Sequence, residues 1–136
     1  IVGITRGFHK NHLVRATLES IAYETYDIVK AMEEDAGVMV RELKVDGGAS
    51  ANNLLMQFQA DLLNAKVYRP MVTETTALGA AYLAGLDVGF YKDEDEIKYN
   101  WSIDKSFSST MTKEVRDTKI KGWEKAIDTA LFWAKS

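Results

Sequence analysis

The chain has 136 residues, 46% of them hydrophobic and 27% charged, and its seventeen basic and twenty acidic residues leave a net charge of -3. That balance describes one globular unit, excludes a disordered chain, and argues against non-specific nucleic-acid binding, which needs a basic face. There is no cysteine, which removes disulfides and thiolate metal sites and fits a cytoplasmic protein; every long apolar run is broken by charge, so no membrane span is expected, and there is no signal-peptide or lipidation pattern.

Ile1-Val2-Gly3-Ile4 reads as a strand and Thr5-Arg6-Gly7 as a turn. Apolar residues begin at once, without Met or a polar lead-in, so a C-terminal piece of a longer polypeptide is expected; a processed N-terminus is the alternative. Asn11 is an expected N-cap for a long helix. Val14, Leu18, Ile21, Ala22, Ile28, Val29 and Met32 fall near helical spacing and define its apolar face, and Gly37 sits where a terminating glycine belongs. Leu43 and Val45 alternate with Glu42 and Lys44, which predicts a strand ending at Val45. Leu54, Leu55, Phe58, Leu62 and Leu63 make the next helix amphipathic, and Lys66-Val67-Tyr68 is a short strand closed by Arg69-Pro70.

A third helix is expected over residues 75–85. It is rich in small side chains, and Gly79, costly in an exposed helix by about 1 kcal/mol, implies close packing against a neighbour. Asp93-Glu94-Asp95-Glu96 reads as a solvated loop or helix start. Trp101 opens a candidate edge strand over residues 101–107. A last helix over residues 112–134 carries the stripe Ile120, Trp123, Ile127, Ala130 and Leu131, which should be buried. Strands alternating with helices define an α/β unit, with no internal repeat and no linker.

The segment with chemical content is Val45-Asp46-Gly47-Gly48-Ala49-Ser50-Ala51-Asn52-Asn53, between a strand and a helix. Two glycines there allow positive φ and remove side chains where a ligand must touch backbone. The following helix turns its N-terminus toward the same place, and ligands of α/β sheets sit at this end of the strands. Asn52, in the first turn of that helix, offers an amide donor and acceptor to a base or ribose. The plainer reading is an Asp-Gly turn with Ser50 as a helix cap; the pattern is neither a dinucleotide fingerprint nor a phosphate loop with its lysine.

Longer motifs decide between these. The run Leu13-Val14-Arg15-Ala16-Thr17-Leu18-Glu19-Ser20-Ile21-Ala22-Tyr23, the Val45-Asp46-Gly47-Gly48-Ala49 turn with Ala51-Asn52-Asn53, and Arg69-Pro70 follow one another in order. So do Thr76-Ala77-Leu78-Gly79-Ala80-Ala81-Tyr82-Leu83-Ala84-Gly85, Val88-Gly89-Phe90 and a closing helix with Trp123, Ala126 and Trp133. Together they resemble the C-terminal part of the FGGY carbohydrate kinase family, over nearly the whole chain. Leu55-Met56-Gln57-Phe58-Gln59 with Asp61 belongs to the same resemblance, and Met56-Gln57-Phe58-Gln59 narrows it to the branch acting on glycerol.

The resemblance implies an α/β fold that is part of an actin-like, ribonuclease-H-like ATPase domain, with residues 1–136 as the C-terminal portion of the second, nucleotide-binding domain. It implies that Gly48 and Asn52 contact ATP or ADP, that Gly47 and Ala49 shape their turn, and that the helix over residues 75–85 packs behind it. Mg²⁺ would accompany the phosphates, glycerol would be the acceptor, and the full-length kinase would be a homodimer or homotetramer. The family's aspartate base, its glycerol-binding side chains and its first phosphate loop find no counterpart here, and Asp46 is expected to fix the turn rather than to act as base. The acidic residue of a docking motif for a sugar-transport regulator is Val115 here, so that partner is not expected. A relative acting on xylulose or gluconate, a non-enzymatic nucleotide-binding module, and a helix-rich interaction domain are the alternatives.

Other features invite bland explanations. His9 and His12 are expected as surface or capping groups rather than metal ligands. The acidic run lacks calcium-loop spacing. Trp101, Trp123 and Trp133 are expected in packing, and Lys119, Lys121 and Lys125 on a solvated face.

Overall fold

The computed structural model describes residues 1–99 and 102–135. Helix α1 (Lys10–Ala36) leads into strand β1 (Glu42–Lys44), a single 3-10 turn (Gly48–Ala51), helix α2 (Asn53–Leu63) and strand β2 (Lys66–Pro70). Helices α3 (Thr75–Asp87) and α4 (Glu94–Tyr99), strand β3 (Ile103–Phe107) and helix α5 (Lys113–Ala134) follow. The sheet runs β1-β2-β3. β1 and β2 are parallel, with Leu43 opposite Val67, and β3 lies antiparallel to β2, with Phe107 opposite Val67. Parallel neighbours need a long crossover, and α2 supplies it. β3 is an edge strand, as β1 is on the other side; Trp101, expected to open β3, lies outside the described residues.

Burial centres on α2. Leu55, Met56, Phe58, Ala60, Leu62 and Leu63 are buried, and so are Gln59 and Asp61. The helix packs against α1, β2, β3 and α5, so it is covered on more sides than an amphipathic surface helix. Leu55, Leu62 and Val67 are almost fully buried, each a contribution of about 1.5–3 kcal/mol.

α1 is capped by His9, not by Asn11. His9 has extended backbone, and its N–H donates to His12 Nδ1 at 3.2 Å, so the two histidines close the helix start. Asn11 lies one residue inside. At the other end Gly37 is left-handed (φ 66°) and donates to Glu33 O at 2.9 Å, as the sequence leads one to expect. The buried face consists of Ala22 and Val29 with half-buried Leu18, Tyr23 and Tyr26, whereas Val14, Ile21, Ile28 and Met32 are exposed. Tyr23 meets Phe58 edge-on, with centroids 5.4 Å apart, and stacks on Trp123 at 5.1 Å; Trp123 Nε1 donates to Asp27 Oδ2 at 2.7 Å. This stack ties α5 to α1.

Burial, helped by the Glu19 carboxylate, pushes the Tyr23 phenol up to about 12 from an ordinary 10.0. Folding therefore favours the neutral phenol. Its contribution is complete below the unfolded value and is lost as pH rises through the folded one. Tyr23→Phe is expected to flatten the alkaline limb of the stability profile between pH 10.0 and about 12, read by denaturant unfolding. Equal alkaline slopes in both proteins would count against this burial effect.

Several expectations are corrected. Ile1, Val2 and Ile4 are exposed and form no strand, and nothing in the sheet pairs with the outer edge of β1. β1 ends at Lys44, although Val45 N–H still bonds Tyr68 O at 3.1 Å, and β2 runs on through Arg69 and Pro70. A Cβ placed on Gly79 meets nothing within 4 Å and no α3 residue is buried, so the close packing expected there is not seen. Along α5, Ile120 and Trp123 are half-buried, but Ile127, Ala130 and Leu131 are exposed and Trp133 is 81% exposed. Only the first half of that helix reaches the core. Lys119 is not simply solvated, since its Nζ sits 5.3 Å over the Phe58 ring. The acidic run is a helix start, with Asp93 Oδ1 accepting Glu96 N–H at 3.0 Å. No helix among the described residues is long and apolar enough to cross a membrane.

Candidate functional site

The glycine turn leaves the C-terminal end of β1 and is held from four directions. Gly47 has φ 75° and ψ 171°, a conformation open essentially to glycine alone, and its N–H donates to Thr73 O at 2.7 Å. Asp46 accepts the Thr75 hydroxyl at the start of α3. Asp46 thus fastens the turn to the next helix. Ser50, 1% exposed, folds its Oγ back onto Gly47 O at 2.7 Å. Ser50 is therefore an internal brace and not the cap of α2.

That cap is Asn52. Its Oδ1 accepts Leu54 N–H at 3.0 Å and Leu55 N–H at 3.1 Å, which meets two of the orphan donors of the helix. Asn52 precedes the first turn instead of lying in it, and its acceptor is occupied. The Nδ2 group is what it retains for a ligand. Gly48 does not use positive φ, contrary to the expectation for the pair, but a Cβ built on it would enter open space. So Gly47 is required by backbone conformation, while Gly48 leaves a bare patch of backbone. Ala49, exposed, continues the same rim.

The fourth restraint comes from Arg69, which sequence reasoning placed only at the close of a strand. Side chains alternate along β2, so Arg69 shares the α2-facing side with buried Val67. Its Nη1 donates to Ser50 O at 3.0 Å, to Ala51 O at 3.2 Å and to Asn53 Oδ1 at 3.0 Å. Its Nε and Nη2 both reach Asp104 Oδ2 at 2.7 Å. Arg69 pairs with Lys105 and Pro70 with Ile103, so Asp104 is the extra residue of a bulge, which turns its carboxylate to the guanidinium. The one hint in the sequence was a lone basic residue two positions beyond a core valine.

The turn adjoins a cleft of about 270 Å³ whose lining combines the polar Thr25, Lys44, Asp46, Ser50 and Gln59 with Ala49 and the apolar Ile21, Leu43, Val45, Leu55 and Met56. A larger depression, about 590 Å³, lies between Ile1, Val2, Ala126, Thr129, Ala130, Phe132 and Trp133, and the Thr129 hydroxyl is turned back onto Lys125 O at 2.7 Å. That lining lacks the convergent polar groups a ligand site needs, so the turn is the better candidate. Among the described residues no three histidine, aspartate or glutamate side chains could hold a metal ion together.

Residues 1–88 match the C-terminal domain of the FGGY family of carbohydrate kinases, and the chain belongs to that family. It is 61% identical over 133 residues to a glycerol kinase of Fusobacterium nucleatum and 58% identical over 135 residues to one of Lachnoclostridium phytofermentans, matches covering 98% and 99% of the chain. It spans 27% of the length of these curated relatives. Among solved structures, Plasmodium falciparum glycerol kinase with ADP superposes with a TM-score of 0.82 at 37% identity, over 93% of this chain and 26% of that one. Xylulose kinase of Rhodospirillum rubrum, at 22% identity and TM-score 0.78 over 99% of this chain and 28% of that one, shows the shared fold. The fold is the α/β, actin-like and ribonuclease-H-like ATPase fold of these kinases.

Proposed function

We propose that this chain is the C-terminal portion of the nucleotide-binding domain of an ATP-dependent glycerol kinase, which transfers the γ-phosphoryl group of ATP to glycerol. The observation that carries the reading is the braced Asp46–Ala49 turn at the end of β1, with open backbone at Gly48 and the Asn52 amide beside it. Identities near 60% to proteins named glycerol kinase, and the likeness to one solved with ADP, support it.

On this reading Gly48 and Asn52 contact ATP or ADP. Gly47 and Ala49 shape the turn, and the Asn52 acceptor stays on the helix while its Nδ2 serves the nucleotide. α3 supports the turn through Thr73 and Thr75 at its N-terminal approach rather than by burying a face against it. Phosphoryl transfer also needs in-line placement, charge neutralisation and a base for the acceptor hydroxyl. Those groups belong to the rest of the kinase, as does the setting in which Mg²⁺ meets the phosphates. The full-length enzyme is a cytoplasmic homodimer or homotetramer.

The test is ATP-dependent phosphorylation of glycerol, xylulose and gluconate by the full-length kinase, with the 136-residue chain as control. Strong preference for glycerol and an inactive isolated chain are expected. Preference for another polyol would overturn the substrate, and turnover by the isolated chain would overturn the division of labour.

A further inference from the structure

We propose that Arg69, oriented by Asp104, is a positioning residue for the adenine nucleotide: it holds the Gly48–Ala51 turn and the Asn52 cap in the geometry that meets the ligand. The proposal rests on the reading that this turn binds nucleotide.

Beyond the braces at Thr73, Asp46 and Ser50, the turn has few contacts of its own. Gly47, Gly48 and Ala49 carry almost no side chain, and of the four turn residues only Ser50 is buried. A short segment with so few apolar contacts is drawn from the low-stability end of a fold. Arg69 compensates from a strand 16–19 residues away, with 13% of its side chain exposed. Its three Nη1 contacts bracket Asn52: two end on the carbonyls of Ser50 and Ala51, and the third on the side chain of Asn53. Rotating the turn, or lifting the N-terminus of α2, breaks at least one of them.

The Arg69 head cannot drift with the turn, because its other edge is held by Asp104 and its face lies 5.6 Å from the Phe107 ring centroid. The strand, the bulge and the turn therefore share one planar clamp. A guanidinium forms such a clamp because its donors point outward in a fixed plane. A lysine ammonium, with three donors on a flexible stem, cannot hold Asp104, two carbonyls and the Asn53 amide oxygen together. None of these Arg69 hydrogen bonds ends on Gly48, and no Arg69 atom lies within 4 Å of a Cβ built there, so on this proposal it acts through the turn and not on the ligand.

The experiment uses the full-length kinase with Arg69→Lys, Arg69→Ala, Asp104→Asn and Gly48→Val. ADP affinity is measured by calorimetry, KM for ATP and for glycerol and kcat by steady-state assay, and stability by thermal unfolding. Arg69→Lys is expected to weaken ADP binding and raise the ATP KM about tenfold, with the glycerol KM and kcat within about twofold of wild type, because misplacing a positioning group costs the ligand it positions. Asp104→Asn should shift the same two quantities in the same direction by a smaller factor. A purely structural arginine would lower the unfolding midpoint and leave the ratio of the two KM values unchanged, which would overturn the proposal. Gly48→Val separates the two layers. If it weakens ADP binding while Arg69→Lys and Asp104→Asn do not, the positioning role falls and the nucleotide turn stands. If ADP binding ignores Gly48→Val, the nucleotide reading falls and takes the proposal with it.

Discussion

Replacing Asp61 by alanine is expected to destabilise the fold by about 3 kcal/mol. Asp61 is 6% exposed in the most buried helix, and one oxygen gathers four donors. Oδ1 accepts Thr110 N–H at 2.6 Å, Met111 N–H at 3.1 Å, Thr110 Oγ1 at 3.3 Å and Gln57 Nε2 at 3.2 Å. Gln57 Nε2 also donates to Ser108 O at 2.8 Å, so the segment between β3 and α5 is pinned to α2 by a small polar network. Alanine leaves two backbone N–H groups without their acceptor, each a loss of roughly 1–3 kcal/mol. Asp61→Asn keeps Oδ1 and should lose less. Denaturant unfolding gives the magnitude, and amide exchange at Thr110 and Met111 should accelerate in the alanine variant. An alanine variant with wild-type midpoint and protected amides would show that the segment is held by packing alone.

The same network shows where sequence reading succeeds and where it stops. The spacing of Leu54, Leu55, Phe58, Leu62 and Leu63 marks α2, although Leu54, in its first turn, is exposed. It does not show that Gln59 and Asp61 are buried with them, because the Asp61 partners lie 49 and 50 residues away. Arg69 is hidden for the same reason: its acceptors sit on the turn, on α2 and on a bulge in β3, and no local period connects them. The turn itself was legible, since a pair of glycines after a strand constrains the backbone locally. Even there the two glycines differ, and only Gly47 needs its positive φ. α1 misleads in another way. Ile21 and Ile28 fit the helical period as well as Ala22 and Val29 do, but only the second pair is buried. α5 shows the complementary limit, because a stripe records what a helix face is able to bury, not what covers it along its whole length.

Gly47→Ala should cost about 1–3 kcal/mol of stability, whereas Gly48→Ala should be close to neutral, although the residues are adjacent and identical in type. Neither added Cβ meets an atom within 4 Å, so steric crowding cannot separate them. Backbone conformation does. At φ 75° and ψ 171° an alanine strains against its own peptide groups, and the chain escapes by rotating the turn. That rotation pulls the Gly47 N–H off Thr73 O and removes the acceptor on which Ser50 Oγ folds back. The turn that presents Gly48 and Asn52 would then lose its shape, so Gly47→Ala should also weaken ADP binding by the full-length kinase about tenfold or more. Unfolding midpoints and ADP calorimetry on the two single variants test both halves. Equal stability losses at the two positions would place the constraint in space-filling rather than in φ. A stability loss at Gly47 with unchanged ADP affinity would mean that the shape of the turn matters to the fold but not to the nucleotide.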